Sequence, residues 1–391
     1  FVIFARDPYG VRPLFYDTKT YGVASEMKGF IDHTNVVQFP TGSFCLLTNY
    51  EYLSFVFPYT VIGKNTFNYD GQEYILKQIN TLLTNAVKKR IMSERKICCL
   101  LSGGLDSSLV AALVSKMSNE RIKTFSIGLE GSPDLYYAQE VAEFIGSDHV
   151  SVKIPSKIFL DAIESVIKTI ESYDTTTVRA SVGNYLISKY ISEHTDCKVV
   201  FNGDYADEVC GGYKYFEKCK NPSEFHDECC RLIKDICFFD SLRSDRTISS
   251  NGLEARVPFA DKNFVEYYLS IQPQLRMTSF NNNIEKYLLR KAFESDKLLP
   301  DSILWRKKEA FSDGVSKPEE SWSDIIGKYV DTCVSDDEFL KYNHKHFKLK
   351  ETYFYHKIFK KYYSNDSIIP YLWMPKYCDN ISDPSARKLE G

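Results

Sequence analysis

Three segments carry residue types whose spacing suits chemistry on a phosphate ester. The first is LLSGGLDSS, residues 100–108, set between an apolar run and an amphipathic one. Gly103 and Gly104 let the backbone turn tightly and bring successive amides close to an anion. Asp106 and Ser107 fall near the start of a helix, where free amides and the dipole favour negative charge. Ser102, Ser107 and Ser108 add hydroxyl donors. The segment lacks the lysine of a Walker motif, which suits a loop holding pyrophosphate better than one delivering a γ-phosphoryl group. Asp106 is a carboxylate in an anion-binding loop, an arrangement that makes sense with a Mg2+ between it and the phosphates. An ordinary glycine turn with an Asp/Ser helix cap explains the two glycines alone; it explains the whole strand–SGGxDS–helix unit less well.

The second segment is VVFNGDYADEVCGGY, residues 199–213. Asp204, Asp207 and Glu208 form an acidic cluster between Gly203 and Gly211–Gly212. At the end of a neighbouring parallel strand, such carboxylates can share the metal of the first loop or take a proton from an amine. Taken alone, the cluster reads as a solvated acidic turn. The third segment, SILWRKKEAFSDG at residues 302–314, sets Arg306, Lys307 and Lys308 between the apolar anchors Trp305 and Phe311. Cations suit a reaction in which negative charge builds on a phosphate leaving group; taken alone, the run reads as a surface turn. His344 and His346 belong to a solvated charged stretch with no metal partner. The cysteines lack a neighbouring His, and Ser102 sits in a phosphate loop rather than a nucleophile elbow.

These loops need strands and helices to hold them. Residues 1–57 read as β-rich, with FVIFARD, PLFYD, YGVAS, GSFCLLTN and EYLSFVF punctuated by turn residues. After Pro58 the period changes, and Ile75, Ile79, Leu82, Leu83 and Ala86 make a helical stripe. ICCLL, TFSIGL, HVSVKI and KVVFN then read as buried strands. The crossovers between them are LVAALVSKM, LYYAQEVAEFIG, a helix over 158–172 and a helix carrying Val182, Leu186 and Tyr190. This alternation predicts an α/β fold, a parallel sheet with helices on both faces. Ligands of such sheets bind outside the carboxyl ends of strands, where the first two loops fall. Beyond Gly212 the pattern is mostly helical. No internal repeat is visible, and the polar stretch 312–320 is too short to divide domains.

The 391 residues correspond to about two or three domains. Hydrophobic residues at 43 % and charged residues at 26 % exclude wholesale disorder. A formal charge of −3 gives no electrostatic footprint for nucleic acid or an anionic membrane. No run approaches the ~18 apolar residues of a membrane span, and the front is no signal peptide. Phe1 opens on what reads as the inside of a strand, so the chain is expected to start partway through a domain. Eleven cysteines is an odd number, two pairs of them are adjacent, and no CxxC occurs. They read as reduced thiols packed as small hydrophobes in a cytoplasmic protein, without structural zinc.

At the three loops the sequence resembles the glutamine-hydrolysing asparagine synthetases, and the likeness runs almost end to end. Besides LLSGGLDSS, it is carried by FSIGLEGSPDL, SYDTTTVRASVGNYLISKYI, GLEARVPFADKNFVEYYLS, IEKYLLRKAF, LPDSILWRKKEAFSDGV and YLWMPKY…DPSARKL, in family order. The last of these and TVRASVGNYLISKY look like the eukaryotic type. FARDPYGVRPLFY and SEMKGF resemble the closing part of an N-terminal nucleophile glutaminase domain, although ARDPYGVRPL is shared with other class II amidotransferases. The resemblance implies a PP-loop fold (adenine nucleotide alpha hydrolase-like) with a helical C-terminal part over residues 58–391, preceded by a glutaminase remnant over 1–57.

It also implies a two-step synthetase using ATP and Mg2+. Aspartate attacks the α-phosphate to give β-aspartyl-AMP and pyrophosphate, and ammonia then attacks the acyl carbon to give asparagine and AMP. By position, Leu101, Ile127, Asn202 and Gly203 would line the adenosine pocket. Ser102, Gly103, Gly104, Leu105, Asp106, Ser107 and Ser108 would hold pyrophosphate, with Asp106 and Asp207 as Mg2+ ligands. Asp204 stands at a family glutamate that forms and consumes the acyl-adenylate, and Lys308 matches a lysine contacting the α-phosphate. Expected partners are small molecules, with a homodimer as the candidate assembly and neither nucleic acid nor membrane.

Two departures stand out. Where the family commonly reads SGEGSDE, this chain has Asn202-Gly203-Asp204-Tyr205-Ala206-Asp207-Glu208. Asp for Glu withdraws the carboxylate by about 1 Å, enough to matter for positioning. Tyr205 replaces a glycine, adding bulk and a backbone angle that L-residues avoid. The family's amino-terminal cysteine nucleophile is the other departure. None of Cys45, Cys98 or Cys99 replaces it by position, so glutaminase activity is not expected of the chain as given. Two alternatives stand beside the synthetase. A β-lactam synthetase-like amide synthase would keep SGGxDS but lack the SPDL, TVRAS and FSDGV segments. A non-catalytic nucleotide-binding homologue would account for Asp204 and Tyr205.

Overall fold

The computed structural model describes residues 1–30, 34–48, 51, 52, 56, 71–307, 314–317, 319–343, 346–378 and 381–385. The boundary expected at 57/58, together with Lys308, Phe311 and His344, lies outside the described residues.

The front of the chain is β-structure, as its alternation predicts. Its strands are β1 (Val2–Ala5), β2 (Phe15–Asp17), β3 (Val23–Ala24), β4 (Val36–Gln38), β5 (Phe44–Thr48) and β6 (Glu51–Tyr52). They pair antiparallel into two small sheets, ordered β1-β5-β6 and β3-β2-β4.

The main sheet contains β7 (Lys96–Leu100), β8 (Lys123–Gly128), β9 (Asp148–Lys153), β10 (Cys197–Phe201) and β11 (Glu254–Arg256). Every neighbouring pair is parallel, and the order is β11-β10-β7-β8-β9. The short apolar runs read from the sequence are the first four of these strands. β11 is an edge strand of three residues, Glu-Ala-Arg, too short and too polar to signal itself. Helices α1 (Gln72–Arg90), α2 (Leu105–Met117), α3 (Pro133–Phe144), α4 (Ser156–Asp161), α5 (Ile163–Ile170) and α6 (Thr175–His194) surround the sheet. The helix expected over 158–172 is two, α4 and α5. Backbone bonds from Ala162 to Ile158 and from Val166 to Ala162 continue across the join.

Successive residues of a strand point to opposite faces, and here both faces are buried. Cys99, Val199 and Phe201 enter one core with α1 and α2, whereas Cys98 and Val200 enter the other with α5 and α6. The apolar character of ICCLL and KVVFN follows from that double burial. Phe15, Met27 and Val36 from the front sheets belong to the second core, and Tyr9 to the first.

The helical remainder begins with α7 (Ala206–Cys210), α8 (Pro222–Asp235) and α9 (Asp240–Ser249). Its far end is tied back to α6. The Asp174 carboxylate caps α6 by accepting the Thr177 amide at 2.9 Å and also accepts the Trp373 amide at 2.7 Å. One turn on, the buried Arg179 guanidinium donates to both Glu351 oxygens at 2.8 and 2.6 Å and to Asp383 at 2.7 and 3.0 Å. Tyr355 donates its hydroxyl to the same Glu351.

Removing one partner of a buried ion pair costs more than the pair contributes, because the other charge stays desolvated. Glu351→Ala is expected to destabilise the fold by about 3 kcal/mol, read as a lower midpoint of urea unfolding. A midpoint within error of the unaltered chain would contradict this account of Arg179.

Candidate functional site

The strand order places a crevice before any side chain is considered. From β7 the chain proceeds outward through β8 and β9, whereas β10 and β11 build the other flank. The loops after β7 and β10 therefore diverge from adjacent strands, the arrangement at which open α/β sheets bind ligands. LLSGGLDSS follows β7 and NGDYADE follows β10, and a cleft of about 240 Å³ opens between them.

Along the first loop, Gly103 takes φ +72°, and a Cβ there would meet the Tyr137 Cβ and the Ala138 amide. Gly104 sits at the N-cap of α2 without a side-chain cap, and Asp106 lies in the first turn. The Ser107 hydroxyl faces that of Ser102 at 3.0 Å and accepts the Ser102 amide at 3.1 Å, which folds the loop over the helix end. In the second loop Gly203 allows close approach. A Cβ there would lie 2.6 Å from the Ser107 amide nitrogen and 2.8 Å from the Asp106 carbonyl carbon.

The two loops are joined by a residue whose role the sequence reading did not assign. Lys286 is buried, and its ammonium lies 2.5 Å from Asp106 Oδ2 and 2.6 Å from Asp207 Oδ1. It precedes the helix Tyr287–Phe293 with φ +54°. A Cβ on Gly212 would collide with the lysine's Cε and with Asp207 Oδ1. Burial disfavours the Lys286 ammonium, but Asp106 and Asp207 outweigh it and hold the pKa above the ordinary lysine value. The segment IEKYLLRKAF carries this lysine, so the signal was present without a position to attach it to.

Asp204 gives Oδ1 to Arg243 Nη2 at 2.9 Å, and its buried Oδ2 accepts no hydrogen bond among the described residues. Tyr205 takes φ +77°, the left-handed angle expected where a glycine is replaced, and its buried hydroxyl meets that of Ser241. Glu208 is fully enclosed and accepts the Tyr213 hydroxyl. Burial first, then Asp240 and Asp207, push its carboxyl well above the usual carboxylate range.

Of the sequence-derived site residues, the cleft is lined by Leu101, Ser102, Gly104, Leu105, Asp106, Ser107, Ile127, Asn202, Gly203, Asp204 and Asp207. Gly103 forms the turn behind them, and its carbonyl accepts Arg306 Nη1 at 3.1 Å. Ser108 faces away: it is fully buried in α2, and its amide is spent on the Gly104 carbonyl. Arg306 and Lys307 reach the cleft wall, and the Arg306 guanidinium sits 3.7 Å from the Tyr137 ring centroid. Lys308 lies outside the described residues.

A Mg2+ can be tested against this donor set. No group of three or more His, Cys, Asp or Glu suited to a metal occurs among the described residues. The two loops offer instead the carboxylates of Asp106 and Asp207, and the buried Asp106 Oδ1 accepts no hydrogen bond among the described residues. Mg2+ is commonly held by one or two carboxylates together with substrate phosphates, so the residues fit a metal that arrives with a triphosphate.

Comparison with known proteins gives the family. The family model described as asparagine synthase matches residues 78–226 and 217–376. The asparagine synthetase [glutamine-hydrolyzing] of Gallus gallus is 44 % identical over 426 residues, covering 100 % of this chain and 75 % of the relative. That of Homo sapiens is 41 % identical, covering 99 % of this chain and 75 % of the relative. Among solved structures, an NMN synthetase from Francisella tularensis is 14 % identical with a TM-score of 0.31, covering 74 % of this chain and 94 % of that one. So loose a likeness adds nothing to the topology.

The close approach at Gly203 makes a direct prediction. Gly203→Ala sets a methyl group against backbone atoms that must move, at a cost of about 1–3 kcal/mol. ATP affinity by titration calorimetry is expected to fall by about 5- to 150-fold, each 1.4 kcal/mol being a factor of ten. Unchanged affinity would mean the two loops do not need to touch.

Proposed function

This chain belongs to the asparagine synthase family, and from that premise we propose that it is a carbon–nitrogen ligase making asparagine from aspartate, ATP and ammonia. The observation that carries the reading is the buried Lys286 clamp, which joins the SGGLDSS turn to the NGDYADE turn at the switch point of the sheet.

The proposed reaction has two steps. The β-carboxylate of aspartate attacks the α-phosphate of ATP, the bond to the bridging oxygen breaks, and pyrophosphate leaves. Ammonia then attacks the acyl carbon of β-aspartyl-AMP, AMP leaves, and the nitrogen gives up a proton as the amide forms. The hydroxyls of Ser102 and Ser107 and the amides of Gly104, Leu105 and Ser107 hold pyrophosphate at the N-terminus of α2. Lys286 supplies a positive charge beside it, as does Lys308, which matches the family lysine. Leu101, Ile127, Asn202 and Gly203 form the adenosine wall. Mg2+ held by Asp106 and Asp207 would neutralise charge on the departing pyrophosphate. The second oxygen of Asp204 is oriented by the Arg243 pair to take the proton from the attacking amine.

A second reading, nucleotide binding without turnover, is favoured by two observations. Tyr205 occupies a left-handed position within the second loop, and the shortened Asp204 is engaged by Arg243.

Incubated with aspartate, MgATP and an ammonium salt, the purified chain is expected to yield asparagine and pyrophosphate in equal amounts. Calorimetric ATP binding with no aspartate-dependent pyrophosphate would establish the second reading. Asp106→Ala is expected to lower pyrophosphate release by about 10³-fold or more, on the scale of losing a preorganised charge at the reacting centre. Circular dichroism should remain that of the unaltered chain; retained turnover would remove Asp106 from the phosphate site.

A further inference from the structure

Helix α9 stands between the cleft and the N-terminal sheets, with side chains committed to both. Towards the cleft it holds three residues of the second loop. Asn202 Nδ2 donates to Ser244 Oγ at 2.8 Å, Arg243 pairs with Asp204 at 2.9 Å, and the Ser241 hydroxyl meets that of Tyr205. Towards the front of the chain it presents the next two residues. Asp245 pairs with Arg12 at 2.5 Å, and Arg246 Nη1 donates to Glu26 Oε1 at 2.7 Å while Nη2 reaches the Ser25 carbonyl.

The second set is built rather than casual. The Arg246 side chain is 3 % exposed and lies over the Phe15 ring, 5.8 Å from its centroid. Glu171, itself buried, stands 3.6 Å from Arg246 Nη2 and accepts the Met27 and Lys28 amides at 2.9 and 2.8 Å. Arg12 also donates to the carbonyl of Ala255 on β11, at 2.9 Å. The N-cap residue of α9, Phe239, makes no side-chain cap. The polar anchors of the helix are therefore the bonds that its own side chains make on either flank. A hydrogen-bonded helix moves as a rod, so a shift of residues 245 and 246 is carried to residues 243 and 244.

We propose that α9 is a strut through which the N-terminal segment positions Asp204, with Asp245 and Arg246 acting as positioning residues for the cleft. The effect on turnover rests on the function proposed above; the effect on loop order does not. Spatial intermediacy alone is weak warrant for coupling, so the test measures coupling itself. Glu26 and Arg12 line no part of the cleft, and each can be altered without touching it.

In the full chain, Glu26→Gln is expected to lower kcat for ammonium-dependent pyrophosphate release about three- to tenfold, the range of modest long-range coupling. KM for ATP should change less than kcat, since the loop that holds the phosphates is not displaced and only Asn202 of the adenosine wall is held by α9. The same substitution in an Asp204→Asn background should cost almost nothing further, because the group being positioned is already lost. Equal losses in the two backgrounds would overturn the strut. Should Glu26→Gln fail to fold, Arg12→Ala serves in its place, since the Arg12 side chain is half exposed. Hydrogen exchange gives a readout without activity: backbone amides of residues 202–206 should exchange faster in either variant, while those of β8 stay unchanged. Unchanged exchange at 202–206, or faster exchange in both regions, would overturn the proposal. An unaltered chain that releases no pyrophosphate would defeat the proposed function and leave the exchange result to decide the strut.

Discussion

The cleft depends on a single ammonium group. Lys286 lies between Asp106 and Asp207, which belong to loops from two different strands and which, without a cation, would repel each other across the crevice. Several otherwise awkward features exist to put the lysine there. Its backbone is left-handed, and Gly212 leaves vacant the volume that a side chain would take from it. Gly203 lets the second loop lie against the first, so that both carboxylates come within reach of one nitrogen. Burial costs the ammonium its hydration, and the two carboxylates offset that cost. On the proposed function, the arrangement is a resting state with one net negative charge, two carboxylates sharing one ammonium. A metal held by Asp106 and Asp207 would supply the missing positive charge, and the ammonium would then face a phosphate.

Much of this was legible beforehand, because its signals are local. Short runs such as ICCLL and KVVFN are apolar on both faces only if both faces are covered, and the structure covers them. SGGLDSS and NGDYADE announce themselves as turns by glycine content and carboxylates, and the fold sets them side by side. The illegible parts are those whose cause is tertiary. β11 is three residues whose strand character comes from pairing with β10, not from any pattern of their own. Lys286 sits in a segment recognisable by resemblance, but one lysine among many gives no hint that it will be buried. Ser108 erred in the opposite direction. Its place in the motif suggested a hydroxyl donor, but helical periodicity turns it into the core, about a third of a turn from Ser107. Tyr205 shows how far sequence can reach when backbone geometry is strict. A position built for glycine keeps its positive φ when tyrosine occupies it, and the ring is accommodated by burial and a hydroxyl contact on α9.

The front of the chain is more than an appendage. Phe15, Met27 and Val36 are members of the core beneath α5 and α6, and the charged contacts of Arg12 and Glu26 with α9 lie over that shared apolar ground. Residues of the front segment thus share a core with helices of the main sheet. Apolar burial supplies the adhesion, while the oriented ion pairs decide how the front segment is turned relative to α9, since burial has no direction and hydrogen-bonded charges do.

The alternation of Cys98 and Cys99 across β7 has a consequence for how the molecule meets oxidants. Neighbours in sequence, the two sulfurs are insulated from each other by the sheet itself, one in each core. Burial holds the Cys99 thiol well above its ordinary pKa, far from the reactive thiolate. Of the eleven cysteines, only Cys333 is exposed, and Cys230 and Cys378 are half-buried. Thiol chemistry is thus a built-in register of opening. Cys333 answers a reagent first in the native chain and the half-buried Cys230 and Cys378 more slowly, whereas the eight buried sulfurs become visible only as the structure around them opens.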